Sequence, residues 1–267
     1  MGESKLRSKP LGECIYCGSV DGLCDEHVLP FGLSGNLVLV KASCQECAKK
    51  TSKLEGQLLR GPWWPARRIL GLRSRRSKEV VPDLPVTIRR LDGTEIVAVL
   101  PMAEQSLAFG FYFDSPSILE GKVRMDTPGA KEAYVKLLGP VPLAFKVGDD
   151  AYHRHPDDKI TLPINLNAGD VCRFLAKVAH CYAIFRRGIH ACSEYFLPPF
   201  ILESAEGLQT YVGGASSAIL GQHVPGSTHY AMLDRVSKGF LMVDIQLFRD
   251  AGETPPIYEV VVGRLAA

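Results

Sequence analysis

The sequence predicts an α+β protein in which a small N-terminal ββα unit precedes a larger α+β domain with mainly antiparallel strands. Three observations support this prediction. Two Cys-x-x-Cys pairs enclose a hairpin pattern near the N-terminus, residues 168–187 follow a helical apolar period, and the C-terminal part alternates apolar runs with turn residues. We expect residues 13–60 to form the first unit, residues 61–80 a basic joint and residues 81–267 the larger domain.

The N-terminal hairpin pattern runs from residues 25–29 through a turn at 32–35 into residues 36–40. The second run, Asn-Leu-Val-Leu-Val, is rich in residues that favour strands. A helix is expected to begin near Cys44 and to continue through Glu55. Ser43 is the predicted N-cap, and Glu46 lies three residues further on, as in a capping box.

Three further patterns define the larger domain. Two β-prone runs flank Asp92-Gly93, which is a strong short-range hairpin signal. Residues 168–187 place their apolar side chains on one stripe, and Arg186 and Arg187 precede Gly188, as at a helix C-terminus. The runs at 230–233, 240–248 and 257–262 predict an antiparallel meander.

Composition excludes several classes of protein. The chain has 267 residues, of which 46% are hydrophobic and 22% charged, so it can bury a core and is not predominantly disordered. The net charge is only +2, but residues 1–80 hold 14 Lys/Arg against 8 Asp/Glu. A basic head therefore precedes a mildly acidic body, and the whole molecule is not a polycation. The chain has neither an N-terminal apolar run nor a membrane-length apolar stretch, so we expect a cytoplasmic protein without membrane contact.

The spacing of four cysteines predicts a structural zinc site. Cys14 and Cys17 form one Cys-x-x-Cys pair, and Cys44 and Cys47 form the other. A two-residue spacer lets both thiolates of a pair point at one tetrahedral Zn²⁺, and a hairpin between the pairs brings them together. Four cysteines close the coordination shell, so the expected zinc is structural rather than catalytic.

Between the two pairs lies Asp25-Glu26-His27-Val-Leu-Pro, followed by a Gly-containing loop and Asn36-Leu. With the flanking cysteine pairs, this order resembles the HNH endonucleases of the zinc-bearing ββα-metal, or treble-clef, type. The resemblance covers about residues 14 to 60. It implies a metal-dependent nuclease in which His27 is the general base that activates water. Asn36 would brace the loop and help to orient the His27 side chain. Glu26 would ligate a catalytic Mg²⁺ or Mn²⁺, with Asp25 in reserve.

The chain departs from that family directly after the last cysteine. The family usually has Asn or His there as a second metal ligand, whereas this chain has Ala48, which cannot ligate a metal. Glu55 lies on the same helix face by the i, i+4, i+7 rule and is the strong oxygen ligand available to complete a variant site. Alternatively, the cation is held weakly and activity is low or lost.

The joint after the helix is basic and aromatic, with seven Lys/Arg and no acid between Arg60 and Lys78. Such a segment could neutralise phosphates and stack on an unpaired base, or it could be a solvated linker whose Trp residues pack into the body. The candidate nucleic-acid contacts are Arg60, Trp63, Trp64, Arg67, Arg68, Arg73, Arg75 and Arg76.

Two functions from different classes follow from these observations. The first is a metal-dependent HNH-type endonuclease that hydrolyses phosphodiester bonds in DNA. The second is a catalytically inactive zinc module that binds nucleic acid or protein, for which Ala48 is the motivating residue. A third hypothesis, in which residues 81–267 are themselves an enzyme, is supported by no motif. No pattern in the sequence indicates an oligomeric state.

Overall fold

The computed structural model describes residues 5–72, 83–100, 109–125, 133–137, 144–161, 167–216, 220–221, 229–250 and 254–266. The described chain is mixed α+β, and most of its strand pairs are antiparallel, as predicted. None of the helices in these ranges is long and apolar enough to span a membrane.

The N-terminal unit is a three-stranded sheet followed by two helices. The strand order is β1-β3-β2, with β2 antiparallel and β1 parallel to β3. The predicted hairpin and helix are confirmed, whereas β1 was not predicted. The elements are β1 (Leu6–Pro10), β2 (Leu23–His27), β3 (Leu37–Cys44), α1 (Gln45–Arg60) and α2 (Trp64–Ile69).

The predicted N-cap of α1 is wrong by one residue. Cys44 occupies the N-cap position and makes no side-chain capping hydrogen bond, while the Ser43 hydroxyl donates to the Cys44 carbonyl oxygen. Ser43 belongs to β3, which continues up to the first turn of the helix. Strand pairing with β2 therefore takes precedence over the local capping signal.

The middle of the chain forms a five-stranded sheet of order β10-β4-β5-β8-β9 and a separate β6-β7 pair. The predicted hairpin at Asp92-Gly93 joins β4 to β5, and Gly93 has a φ of +85°, where a side chain would be strained. The strands are β4 (Leu84–Arg89), β5 (Glu95–Leu100), β6 (Phe109–Phe113), β7 (Ala133–Leu137), β8 (Ala144–Val147), β9 (Asp150–His153) and β10 (Lys159–Thr161).

The C-terminal part is one long helix packed against an antiparallel sheet of order β11-β15-β14-β13, with β12 also paired to β15. The predicted helix and meander are both confirmed. The elements are α3 (Ala168–Arg187), β11 (Cys192–Tyr195), α4 (Pro198–Leu202), β12 (Val212–Ser216), β13 (Tyr230–Ser237), β14 (Phe240–Leu247) and β15 (Ile257–Leu265).

Helix α3 lies at the centre of the core and positions the candidate site. It contacts β14 and β15 of the C-terminal sheet and also contacts α1 and β3 of the N-terminal unit. One cluster of buried side chains includes Leu54 of α1, Phe174 of α3 and Ile245 of β14. The N-terminal unit is therefore packed on the body through an apolar contact.

Candidate metal centre and the adjoining His27 site

Four cysteines converge at one place, as predicted. The sulfur atoms of Cys14, Cys17, Cys44 and Cys47 all lie within 4.8 Å of one another, and Sγ of Cys17 is 3.7 Å from Sγ of Cys44. Zn–S bonds of about 2.3 Å in a regular tetrahedron place sulfur atoms ~3.8 Å apart. The cluster can thus hold a metal ion such as zinc.

Local backbone geometry shapes the first cysteine pair into a knuckle. The Gly18 N–H donates to the Cys14 carbonyl at 2.8 Å, and the Cys14 N–H donates to the Ser19 carbonyl at 2.8 Å. Gly18 has a φ of +74°, a conformation that L side chains rarely adopt. The knuckle is then tied to β3, because the Ile15 N–H donates to the Ala42 carbonyl.

The second pair lies at the start of α1. The backbone N–H of Cys47 donates to the Cys44 sulfur and is the main reason why the pKa of Cys44 falls to about 7. An N-terminal helix dipole also stabilises thiolate. A metal ion binds thiolate, so Cys44 is favoured as a ligand, whereas burial and the neighbouring sulfur atoms raise the pKa of Cys47.

His27 is the last residue of β2, in the hairpin that joins the two cysteine pairs. Its side chain is half-buried, and its Nε2 atom is buried with no hydrogen-bond partner among the described residues. Burial lowers the pKa of His27, and the positive charges of Lys5 and Lys177 lower it further. The imidazole is therefore neutral near pH 7, which is the form that can accept a proton.

Asn36 lies at the other side of the hairpin loop and is 2% exposed. Its Oδ1 accepts a hydrogen bond from the Tyr230 hydroxyl at 3.0 Å. The loop before it is tight, since a Cβ on Gly35 would lie 1.9 Å from the Leu29 carbonyl oxygen. The glycine therefore allows the close approach that places Asn36 next to β3.

Glu26 and Glu55 come together, as the variant metal site requires, but a lysine lies between them. The Lys177 ammonium is 2.8 Å from Oε1 of Glu26 and 2.8 Å from Oε1 of Glu55. It also donates to the backbone carbonyl of His27. Lys177 is fully buried, and the side chains of Glu26 and Glu55 are 7% and 16% exposed.

Charge and burial compete in this cluster. Burial raises the pKa of Glu26, although the nearby Lys177 opposes the rise. Burial alone would lower the pKa of Lys177, but the Glu26 and Glu55 carboxylates outweigh it and raise that pKa. The lysine is therefore a charged ammonium in contact with buried carboxylates.

Asp25 does not join this cluster, which corrects its predicted role as a reserve cation ligand. It is exposed, pairs with Arg7 and accepts a hydrogen bond from the Lys41 N–H at 3.1 Å. Slight desolvation acts to raise the pKa of Asp25, but the contacts with Lys41 and Arg7 outweigh it and lower that pKa. The strand turns Glu26 inward and Asp25 outward, and Ala48 contributes only a methyl group.

Two predicted nucleic-acid contacts of the joint instead have structural roles. Trp63 is 2% exposed and packs edge-on against Phe174 and Phe248, so it cannot stack on a base without leaving the core. Arg67 donates from Nε to the Gly32 carbonyl at 2.6 Å and from a terminal nitrogen to the Leu59 carbonyl at 2.8 Å.

The other joint residues have mixed outcomes. Arg60 is exposed at the end of α1, and Trp64 is partly exposed at the start of α2. Arg68 lies in α2. Arg73, Arg75 and Arg76 lie outside the described residues. Contact of these side chains with nucleic acid stays a prediction.

Sequence reasoning missed the residues that approach the site from elsewhere in the chain, namely Lys177, Tyr230 and Lys5. No local signal was available for Lys177, because it lies about 120° around the helix from Val171, off the predicted apolar stripe. A lysine on that face is normally solvated, and only the packing of distant segments buries it beside partners of opposite charge. Neither Tyr230 nor Lys5 has a local signal either.

No protein-family model, curated protein or solved structure matches this chain. Its class therefore rests on the chemistry of the site. The described residues define an α+β protein whose N-terminal unit has a four-cysteine cluster that can hold a metal ion.

Proposed function

We propose that this protein is an HNH-type endonuclease that hydrolyses phosphodiester bonds in DNA in the cytoplasm. Zinc on Cys14, Cys17, Cys44 and Cys47 would clamp the hairpin, in a treble-clef arrangement. The observation that carries the proposal is the position of His27. Its buried Nε2 lacks a hydrogen-bond partner among the described residues, and His27 ends the strand between the two cysteine pairs.

The chemistry of His27 suits a general base. A neutral imidazole can take a proton from water as the water attacks phosphorus, and the lowered pKa of His27 keeps it neutral near pH 7. Asn36 holds the loop beside it through its contact with Tyr230. Lys5 is exposed, and its positive charge acts on His27, so it supplies a cation where a phosphate would approach.

Glu26 and Glu55 would hold the Mg²⁺ or Mn²⁺, a Lewis acid that stabilises negative charge on phosphate oxygens. In the described conformation the Lys177 ammonium lies between these carboxylates. Binding of a divalent cation to this pair therefore requires Lys177 to withdraw.

A second candidate function is a catalytically inactive zinc module that binds nucleic acid or protein. The observation that favours it is the same pair of contacts to Lys177, together with Ala48 at the position of the missing ligand. Such a module would keep the zinc clamp and bind without cleavage.

A supercoiled-plasmid nicking assay separates the two functions. The wild type is tested with Mg²⁺ or Mn²⁺, with EDTA as the blank, beside His27→Ala and the control His153→Ala, which changes an exposed histidine of β9. General-base loss should slow nicking about 100-fold or more in His27→Ala and leave His153→Ala unchanged. Equal nicking by all three proteins, or none, would reject His27 as the base and favour the binding module.

Ala48→Asn provides a gain-of-function comparison. A site that lacks one ligand should nick faster with asparagine at this position, because the amide oxygen can ligate a divalent cation. A purely binding module should not respond. The zinc content of the variant should match that of the wild type, which checks that the adjacent Cys47 still binds metal.

A further inference from the structure

Lys177 occupies a cage of oxygen atoms built by the N-terminal unit. Its ammonium lies 2.8 Å from one oxygen each of Glu26 and Glu55 and 3.4 Å from the Val28 carbonyl, and it donates to the His27 carbonyl. Helix α3 supplies the cation, and residues of β2, the segment after it and α1 supply the oxygen atoms.

We propose that the Lys177 ammonium is a resident substitute for a divalent cation in this four-oxygen cage, and that the cage binds a divalent cation when the ammonium is removed. The inference deepens the proposed function and rests on it for the assignment of Glu26 and Glu55 as cation ligands. It adds that the body, through α3, determines which cation those ligands hold.

The chemistry of the cage suits a hard cation. Carboxylate and backbone carbonyl oxygens are the ligands that Mg²⁺, Mn²⁺ and Ca²⁺ prefer, and the cage has two of each. Within the described residues, every hydrogen bond and ion pair of Lys177 is to an oxygen atom, although the Cys181 thiol and the His27 imidazole are near enough to interact with its charge. Zinc therefore partitions to the four cysteines and leaves the cage to the ammonium.

The charges also suit a divalent cation. One ammonium compensates only one of two carboxylates, so the ionised cluster keeps a net charge of −1 in a buried place. A cation of charge +2 would compensate both. Removal of the ammonium leaves two buried carboxylates that must take up protons or another cation, because unpaired buried charge is costly.

The burial of Lys177 explains how its ammonium stays in the oxygen cage in place of a metal ion. The side chain is 0% exposed, and α3 packs against both α1 and the C-terminal sheet. A divalent cation from solvent must displace an ammonium that is fixed by a packed helix. We therefore expect the wild type to take no divalent cation into the cage in the absence of nucleic acid. The proposed cleavage then requires bound nucleic acid to drive the withdrawal of Lys177.

The test measures Mn²⁺ binding to the zinc-loaded protein without nucleic acid. Electron paramagnetic resonance counts bound Mn²⁺, and thermal unfolding with and without Mn²⁺ reports its effect on stability. Lys177→Ala should bind about one Mn²⁺ per chain and unfold at a higher temperature with Mn²⁺ than without it. The wild type and Lys53→Ala, which changes an exposed lysine of α1, should show neither effect.

A triple variant identifies the ligands. Adding Glu26→Gln and Glu55→Gln to Lys177→Ala should abolish Mn²⁺ binding, since neutral amides replace the two carboxylates. A folded, zinc-loaded Lys177→Ala that binds no Mn²⁺ would overturn the inference. So would a wild type that binds Mn²⁺ at a site lost in Glu55→Gln.

If Lys177→Ala does not fold with or without Mn²⁺, the inference is tested by Mn²⁺ titration of the wild type. Wild-type Mn²⁺ binding that Glu55→Gln abolishes then rejects the inference, and its absence supports the ammonium as the resident cation. The Mn²⁺ titration does not depend on nuclease activity, so it tests the inference even if the protein does not nick DNA. Conversely, if Lys177→Ala binds no Mn²⁺, the nicking assay of the wild type and His27→Ala still tests the proposed function.

Discussion

The hydroxyl of Tyr230 donates a hydrogen bond to Oδ1 of Asn36 at 3.0 Å, and both side chains are buried. The two residues are 194 positions apart in the sequence. Tyr230 begins β13, and Asn36 directly precedes β3. The C-terminal sheet therefore holds the loop of the candidate site, and this contact can be tested by removing one hydroxyl.

Tyr230→Phe should lower the free energy of unfolding by about 1 kcal/mol, the typical net value of one buried hydrogen bond. If Asn36 orients the site, the variant should also nick plasmid several-fold more slowly under conditions in which it is fully folded. Urea unfolding and the nicking assay provide the two readouts.

Tyr182→Phe is the matched control, because the Tyr182 hydroxyl donates to the Met232 carbonyl of the same strand β13 at 3.1 Å. It should cost a similar free energy and leave the nicking rate unchanged. Equal loss of activity in both variants would mean that stability, rather than the position of Asn36, explains the effect.

Cys14→Ser should remove the metal from the N-terminal unit. The wild type should contain about one zinc per chain, and the variant should contain little, because three thiolates hold Zn²⁺ more weakly than four. Elemental analysis after dialysis measures this content. Cys24→Ser is the control, since Cys24 lies in the same hairpin but donates to the Ser43 carbonyl outside the cluster. Equal zinc in both variants would contradict the four-cysteine site.

Lys5→Gln should raise the pKa of His27. Burial is the main cause of the lowered value, but the Lys5 charge contributes, so its removal moves the pKa back towards 6.5. Nuclear magnetic resonance titration of the imidazole measures the change directly. The acid limb of a nicking rate profile should lie below pH 6.5 in the wild type and shift upward in the variant.

Lys9→Gln removes another exposed lysine near the N-terminus and serves as the control for this titration. It should leave the His27 titration close to that of the wild type. An equal upward shift in Lys9→Gln would show that the overall charge of the strand, not the position of Lys5, determines the pKa.

His180 should make stability depend on pH. It is fully buried beside the zinc knuckle, with Nε2 2.8 Å from the Ile15 carbonyl, and burial lowers its pKa to about 4. In the unfolded chain His180 takes up its proton near pH 6.5. Its contribution to the free energy of unfolding is therefore fully present above that pH and is lost as pH decreases towards 4. The shift corresponds to a loss of about 3 kcal/mol.

His180→Gln should flatten that part of the profile, because glutamine can donate to the Ile15 carbonyl without taking up a proton. Urea unfolding between pH 7 and pH 4 gives the slope for each protein. Zinc loss in acid affects both proteins, so the difference between their slopes isolates His180. His153→Gln, at an exposed site, should keep the wild-type slope.

Trp63→Ala should destabilise the fold by about 3–5 kcal/mol, the usual cost of removing a large buried aromatic side chain. Trp64→Ala, at a partly exposed position, should cost much less. Denaturant unfolding measures both. A small loss in Trp63→Ala together with weakened DNA binding would support the base-stacking role that the sequence suggested and would contradict the packing against Phe174.

Several features of the fold and site could be predicted because they depend on near neighbours in the chain. A two-residue spacer brings Cys14 close to Cys17 whatever the rest of the protein does. The hairpin at Asp92-Gly93 and helix α3 follow from turn chemistry and from an apolar period of one helical turn. The same local patterns placed His27 in a strand over residues 25–29, and the structure shifts that strand by two residues so that His27 ends it.

The partners of the site residues could not be predicted in this way. Glu26 and Glu55 were expected to converge, and they do, but the sequence does not indicate that Lys177 lies between them. Trp63 was equally compatible with stacking on a base and with burial, and only the positions of Phe174 and Phe248 distinguish the two. These contacts join distant segments and leave no periodic signal.

The sequence by itself therefore determined the β2–β3 hairpin, α1, α3, the C-terminal meander and the four-cysteine cluster, because spacing and periodicity act over a few residues. The tertiary structure decided what surrounds them. It placed the Lys177 ammonium between Glu26 and Glu55, and it brought the Tyr230 hydroxyl within hydrogen-bonding distance of Asn36. It also packed Phe174 and Phe248 against Trp63. Such contacts arise when separate apolar faces pack into one core, and that packing depends on the whole chain.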